Sequence, residues 1–152
     1  MTIKNAPRSS GFTLVELVMV IILIGVLSAL GVGLFAGRSA FSPLLATQQL
    51  ASASLLAQQA ALAGNEASGF TVTQGPDDFV FTVGPGTSSE RQFRIGRNGT
   101  SFSVAGATLP ISFDDLGRPD TAGNVLFTFS GESTYQTCLS SLGAVYAGSC
   151  QP

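Results

Sequence analysis

The sequence predicts an α+β protein in which a long N-terminal helix precedes an antiparallel β domain. An uncharged apolar run lies near the N-terminus of the 152 residues, an alanine-rich stretch follows, and short alternating segments separated by glycine turns fill the remainder. Only 11% of the residues are charged. Residues 12–64 hold two charges and residues 65–152 hold twelve, so the low charge belongs to the helical part.

The apolar run over residues 17–37 is long enough to cross a membrane. Its 21 residues include thirteen Leu, Ile, Val or Phe and no charge. A helix of this length extends about 31 Å, which matches a hydrocarbon core of about 30 Å. Lys4 and Arg8 precede the run, so the positive-inside rule places this end in the cytoplasm. A cleaved secretory signal is the alternative, but its apolar region would span only about 7–15 residues.

A second helix is predicted over residues 38–64. Alanine is abundant, no charge follows Arg38 within the segment, and Gly64-Asn65 is a stop signal. Pro43 is expected to kink the helix or to restart it. One face is predicted to pack on the β domain because apolar side chains recur at helical spacing, namely Phe41, Leu44, Ala51, Leu55 and Leu62.

Residues 65–152 are predicted to form a β-rich head. Asn98-Gly99 between two apolar segments indicates a β-hairpin. Eight of the eleven phenylalanines lie in predicted strands, and we expect them to form the core between sheet and helix. The predicted strands cover residues 70–73, 79–83, 93–95, 102–104, 111–113 and 125–129.

The composition excludes several classes of function. The chain has no His, so neither a Ser-His-Asp centre nor a His-containing zinc site can be built. Beyond Arg38 it has four basic and eight acidic residues, so no nucleic-acid partner is expected. The period-three arginines at 91, 94 and 97 indicate a solvated strand edge. We expect no enzyme activity and no cofactor.

Three carboxylates near one turn raise the question of calcium. Asp114, Asp115 and Asp120 are of the residue type that hard cations prefer. Their spacing matches no defined calcium loop, so a solvated turn is favoured over a metal site.

An acidic residue stands at the start of the apolar run, in the segment Gly11-Phe12-Thr13-Leu14-Val15-Glu16. A carboxylate inside a membrane helix costs up to about 3 kcal/mol, so by default Glu16 is a functional candidate that needs a partner. The alternative is that Glu16 lies at the interface and extends into water.

This segment, with its basic leader and following apolar run, resembles the class III signal of type IV pilins and type II secretion pseudopilins. The resemblance covers residues 1–37. It implies a pilin-like fold with a leader at 1–11, a transmembrane and filament-core helix at 12–37, an amphipathic helix at 38–64 and a head at 65–152.

The resemblance also implies roles for three residues. Prepilin peptidase would cut between Gly11 and Phe12, and the new amine of Phe12 would be N-methylated. Glu16 would act in assembly, because its carboxylate would be neutralised by the Phe12 amine of a neighbouring subunit when the helices pack away from water.

The segment Phe113-Asp114-Asp115-Leu116-Gly117-Arg118-Pro119 resembles that of minor, H-like pseudopilins and related pilus subunits. The resemblance implies a structural subunit, for example a minor pilin of a mannose-sensitive-haemagglutinin-type pilus. Its partners would be membrane lipid, prepilin peptidase, other pilins and an inner-membrane platform with a cytoplasmic ATPase. Its head would be periplasmic before assembly. The alternative is a tip, adhesion or DNA-uptake binding module on the same anchor.

Cys138 and Cys150 are the two cysteines of the chain. An exported domain lies in an oxidising compartment, where two cysteines usually pair. The resemblance agrees, since many type IV pilins have a C-terminal disulfide loop. Two buried free thiols are the alternative.

Overall fold

The computed structural model describes residues 12–35 and 38–151. It has the α+β, pilin-like layout expected from the sequence, with helices α1 (Leu14–Phe35) and α2 (Arg38–Leu62) before the strands. The helix α1 belongs to one compact unit, and α2 belongs to another together with the strands. The strands are β1 (Gly69–Gln74), β2 (Asp78–Val83), β3 (Arg91–Gly96), β4 (Ser101–Ala105), β5 (Ile111–Ser112), β6 (Val125–Ser130), β7 (Thr134–Leu139) and β8 (Val145–Ala147).

The strands form two antiparallel sheets, with orders β3-β2-β1-β5 and β4-β6-β7-β8. All six predicted strands are present. The strands β7 and β8 were not predicted, because their Thr, Gln and Tyr side chains lack the phenylalanine alternation of the others. Pairing with a neighbouring strand stabilises β7 although its own sequence pattern is weak. It aligns with the apolar β6 from Val125↔Leu139 to Ser130↔Thr134.

The predicted hairpin at Asn98-Gly99 is wrong, although the tight turn itself forms. Asn98 and Gly99 have φ of 45° and 80°, and the Thr100 N–H donates to the Arg97 carbonyl at 2.8 Å. The flanking strands nevertheless lie in different sheets, because β3 pairs with β2 and β4 pairs with β6. The Ser42 hydroxyl on α2 donates to the Gly96 and Arg97 carbonyls at 3.0 Å, which occupies backbone acceptors next to the turn.

The core lies where the aromatic side chains of both sheets meet, and α2 packs against both sheets. The Phe79 ring contacts the Phe129 ring edge-on at a centroid distance of 5.4 Å, and the Phe102 ring lies 4.9 Å from that of Phe129. Phe70 from the first sheet likewise meets Phe127 from the second at 6.1 Å. This confirms the predicted phenylalanine core.

The face of α2 that enters the core is not the predicted one. The buried side chains are mainly small: Ala46, Leu50, Ala53, Ala57 and Ala61. Of the predicted face, Phe41, Leu55 and Leu62 are exposed by 62%, 46% and 59%. The physical reason is volume, since phenylalanines from the sheets already fill much of the core and leave α2 room mainly for small side chains, with Leu50 as the one large exception.

The ends of α2 follow from local sequence. Gly64 adopts a φ of 68°, and the Asn65 N–H donates to the Ala60 carbonyl at 2.8 Å, which confirms the predicted stop. The prediction that the helix restarts at Pro43 is wrong, because Pro43 lies inside α2. This proline removes only the backbone bond to the Ser39 carbonyl, close to the helix start.

Candidate assembly surface

The first turn of α1 is closed by its own side chains. Thr13 precedes the helix, and its hydroxyl accepts from the Glu16 N–H at 3.2 Å. In return, the Glu16 carboxylate accepts from the Thr13 N–H and hydroxyl at 3.5 and 3.4 Å. This is a capping box, and the sequence Thr-x-x-Glu before an apolar run could have predicted it. The return contacts are long, so the box holds the carboxylate only weakly.

The other predicted residues at this end are Gly11 and Phe12. Gly11 lies outside the described residues. Phe12 precedes the helix, and 78% of its surface is exposed. The structure therefore places Phe12 and Glu16 of one chain at the same helix start, with the Glu16 carboxylate turned back towards Thr13.

The remainder of α1 offers apolar side chains on every side. Large apolar residues from Leu14 to Leu30 are exposed, and none is covered within the structure. The segment Leu14–Gly31 is long and apolar enough to cross a membrane, by length and composition. A helix that is apolar all round needs lipid or other helices around it.

A second exposed surface runs along α2, opposite the alanine face. Its seven residues repeat at spacings of four and three, so they lie in one line along the helix. Four are large and apolar, three are polar, and none carries a charge. We call this line the uncharged stripe: Phe41, Leu45, Gln48, Ser52, Leu55, Gln59 and Leu62.

The uncharged stripe was not predicted, because three of its four large apolar side chains (Phe41, Leu55 and Leu62) were expected in the core. The signal was present in the sequence as two competing series on one helix. One series is mostly alanine and the other contains Phe41 and three leucines, and a charge-free helix can bury either. Charge does not decide between the two series, because residues 39–65 carry none.

The C-terminal half of α2 joins two loops of the head through Gln58. Its side-chain amide donates to the Gly117 carbonyl at 2.7 Å and to the Gly143 carbonyl at 3.1 Å. A methyl group at Gly143 would collide with the Gly117 carbonyl, so the loop backbones touch at this point. Leu116 and Leu142, next to these glycines, are both exposed.

The loop that contains Gly117 is organised by Asp114. The Asp114 carboxylate accepts from the N–H groups of Arg118 at 2.7 Å and Leu116 at 3.0 Å, and Arg118 Nε donates to it at 3.2 Å. The Arg118 N–H contributes most to lowering the pKa of Asp114 below its usual range, and the Leu116 N–H and the guanidinium add to this. Asp114 therefore organises a turn.

The other two candidate calcium ligands, Asp115 and Asp120, are exposed. Among the residues that the structure describes, no cluster of three or more His, Cys, Asp or Glu has a metal-binding arrangement.

The two cysteines are bonded to each other in the structure. Cys138 is fully buried at the end of β7, so the bond fixes the C-terminal segment to the sheet. Asn124 adds two polar links, since its amide donates to the Gln151 carbonyl and its oxygen accepts from the Ser141 N–H, both at 3.0 Å.

The three arginines of the predicted solvated edge lie on or just after β3, which is an edge strand. Arg94 pairs with Asp78 at 3.1 Å, and Arg97 donates to the Thr100 and Gly75 carbonyls. Arg91 is exposed, and its side chain forms no ion pair within residues 39–151.

The comparisons with known proteins identify one feature. A family model described as the prokaryotic N-terminal methylation motif matches residues 7–32, which include Gly11, Phe12 and Glu16. Neither the curated proteins nor the solved structures contain a match to this chain. The matched residues end within α1, so the head takes no support from the match.

Proposed function

We propose that this chain, which carries the class III signal of type IV pilins and pseudopilins, is a structural subunit of a type IV pilus or a type II secretion pseudopilus. The methylation motif at residues 7–32 carries the proposal, because it overlaps a helix that is apolar on every side. The segment Phe113–Pro119 favours a minor, H-like subunit. The subunit has no catalytic turnover of its own.

Processing is the first step of the proposed function. Prepilin peptidase removes residues 1–11 by cutting between Gly11 and Phe12, and the amine of Phe12 is then N-methylated. The exposed position of Phe12 before the helix suits both reactions. Residues 12–37 stay in the inner membrane, with the N-terminus on the cytoplasmic side and the head in the periplasm.

Assembly is the second step. A membrane platform and a cytoplasmic ATPase transfer the subunit from lipid into the filament, where residues 12–37 pack among other pilin helices. The carboxylate of Glu16 leaves its long contacts with Thr13 and pairs with the Phe12 amine of a neighbour. The uncharged stripe on residues 38–64 continues the apolar contact, and residues 65–152 form the outer head.

Three variants separate the charge of Glu16 from its capping role. Glu16→Gln keeps a capping acceptor but removes the charge, Glu16→Ala removes both, and Thr13→Ala removes the cap but keeps the charge. We expect all three to be cleaved normally. Both Glu16 variants should be poorly incorporated into sheared filaments, while Thr13→Ala is incorporated. Normal incorporation of Glu16→Gln would refute the pairing.

A second candidate is a tip or adhesion module on the same anchor. It is favoured by the disulfide-bound C-terminal segment, which displays Leu142 with 76% of its surface exposed. The abundance of the chain in purified filaments separates the candidates. A subunit that forms the filament shaft is found along its length, whereas a tip module is present in traces at one end.

A further inference from the structure

A cleft of about 270 Å³ lies where the C-terminal half of α2 meets the loops beside β2 and β3. Its floor is apolar and its rim is polar. The floor includes Leu56, Ala60 and Val83, and the rim includes Gln59, Ser89 and Arg91. We call it the Arg91 cleft.

Arg91 brings a positive charge to this cleft and forms no ion pair within residues 39–151. Its neighbour Glu90 is engaged elsewhere, because the Glu90 carboxylate accepts from the Gly86 N–H at 2.8 Å and from the Gln92 amide at 2.9 Å. The Gly86 bond is the main reason why the pKa of Glu90 is lowered. The cleft therefore suits a ligand with a carboxylate next to a short apolar group.

The same chain displays such a group at the turn of residues 114–117. Asp114 organises the backbone of this turn, and Gln58 anchors it to α2. At its tip, Asp115 is exposed and makes no side-chain hydrogen bond within the described residues. Leu116 follows with 65% of its surface exposed. We call this feature the Asp-Leu turn.

The turn and the cleft lie on opposite sides of the uncharged stripe. Successive helix residues rotate by about 100°, so Gln58 lies on one side of the stripe, and Leu56 and Ala60 lie on the other. All three lie within residues 56–60, so the two features share one level along α2. A rotated copy can therefore bring its turn to the cleft of the next copy.

We propose that the Asp-Leu turn of one copy docks into the Arg91 cleft of the next, with Leu116 on the apolar floor and Asp115 paired with Arg91. The proposal rests on the proposed function and specifies the contact between adjacent heads. Because turn and cleft are different surfaces, the contact is heterologous, and in a filament, where the rotation does not close, it repeats along an open helix. The contact requires at least two adjacent copies of this subunit in the filament.

The test uses the full chain in filaments, with the photo-crosslinker benzoylphenylalanine in place of Leu116. Irradiation should give a dimer band, and peptide mapping should place the crosslink within residues 56–60 or 83–91 of the second copy. The control places the same crosslinker at Ser103, which is exposed on the second sheet. It should give no crosslink to those peptides.

Charge exchange tests the ion pair within the same contact. Arg91→Glu and Asp115→Arg should each lower the dimer yield about tenfold, because each places like charges together. The two changes combined in one chain should restore the yield. Ser103→Glu, which adds a negative charge away from the cleft, should leave it unchanged.

Two failures are distinguishable. A chain that enters filaments normally but gives no crosslink from position 116 to the cleft overturns the head contact and leaves the proposed function standing. A chain that is not cleaved at Gly11 and never enters filaments overturns the proposed function, and the head contact falls with it.

Discussion

At the scale of single residues, Gln58 joins α2 to two loops of the head. It is the donor to two loop carbonyls, those of Gly117 and Gly143. No sequence pattern indicates this role, because Gln58 is one of four glutamines in α2 and its acceptors lie 59 and 85 residues away. The Asp114 turn, by contrast, follows from local chemistry that Asp and Gly often provide.

Gln58→Ala should lower the free energy of unfolding by about 1–3 kcal/mol, because two carbonyls lose their donor. Urea unfolding of the full chain in detergent measures this. Gln48→Ala is the matched control, since Gln48 is exposed on the same helix, and it should change stability by less than about 0.5 kcal/mol. Equal effects of the two variants would contradict the role of Gln58.

Asp114 should contribute to the pH dependence of stability. Its folded pKa is lowered, so its contribution is fully present above its unfolded pKa of about 3.9 and is lost as pH falls through the folded value. Asp114→Asn should therefore flatten the decline in stability below about pH 4, as measured by urea titrations at several pH values. Asp115→Asn removes the same charge but no hydrogen bond, and it should retain the steep decline.

At the scale of elements, the face of α2 that was predicted to enter the core is mostly exposed. The alanine face is buried in its place. The sequence sufficed for the existence of the helix, its stop at Gly64 and its lack of charge. It did not suffice for the orientation, because the choice between an alanine and a leucine face depends on the phenylalanines of distant strands. The hairpin predicted at Asn98-Gly99 was wrong because β3 and β4 pair with strands elsewhere in the chain, namely β2 and β6.

Substitutions on the two faces of α2 should have opposite consequences. Ala57→Leu overfills the core and should cost about 1–3 kcal/mol of stability. Leu55→Asp should change the stability of the head by less than about 0.5 kcal/mol but lower filament incorporation at least about tenfold, because it places a charge in a subunit contact. Urea unfolding and immunoblots of sheared filaments measure the two effects. Normal incorporation of Leu55→Asp would contradict the role of the uncharged stripe.

At the scale of the whole molecule, the change in charge density falls at the end of α2, which lies inside the second unit, and not at the boundary between the two units. Within residues 12–64 only Glu16 and Arg38 are charged, while residues 65–152 hold twelve charges. The motif and the apolar run made the anchor predictable from sequence. The contacts within the head were not predictable from sequence, because they combine residues from separate loops.

The disulfide is the covalent tie of the head. Replacing both cysteines, as in Cys138→Ala with Cys150→Ala, should lower the free energy of unfolding by about 3 kcal/mol, since the loop that the bond closes has 13 residues. Urea unfolding measures the loss, and reduced wild-type protein should behave like the double variant. Unchanged stability in both would show that the bond contributes nothing.

The proposed function requires that residues 1–11 are removed and that the apolar helix is kept for assembly. N-terminal mass spectrometry of the protein from its native membrane tests both requirements. We predict a mature chain that begins at N-methylated Phe12. An intact Met1, or a chain cut near residue 37, would contradict this prediction.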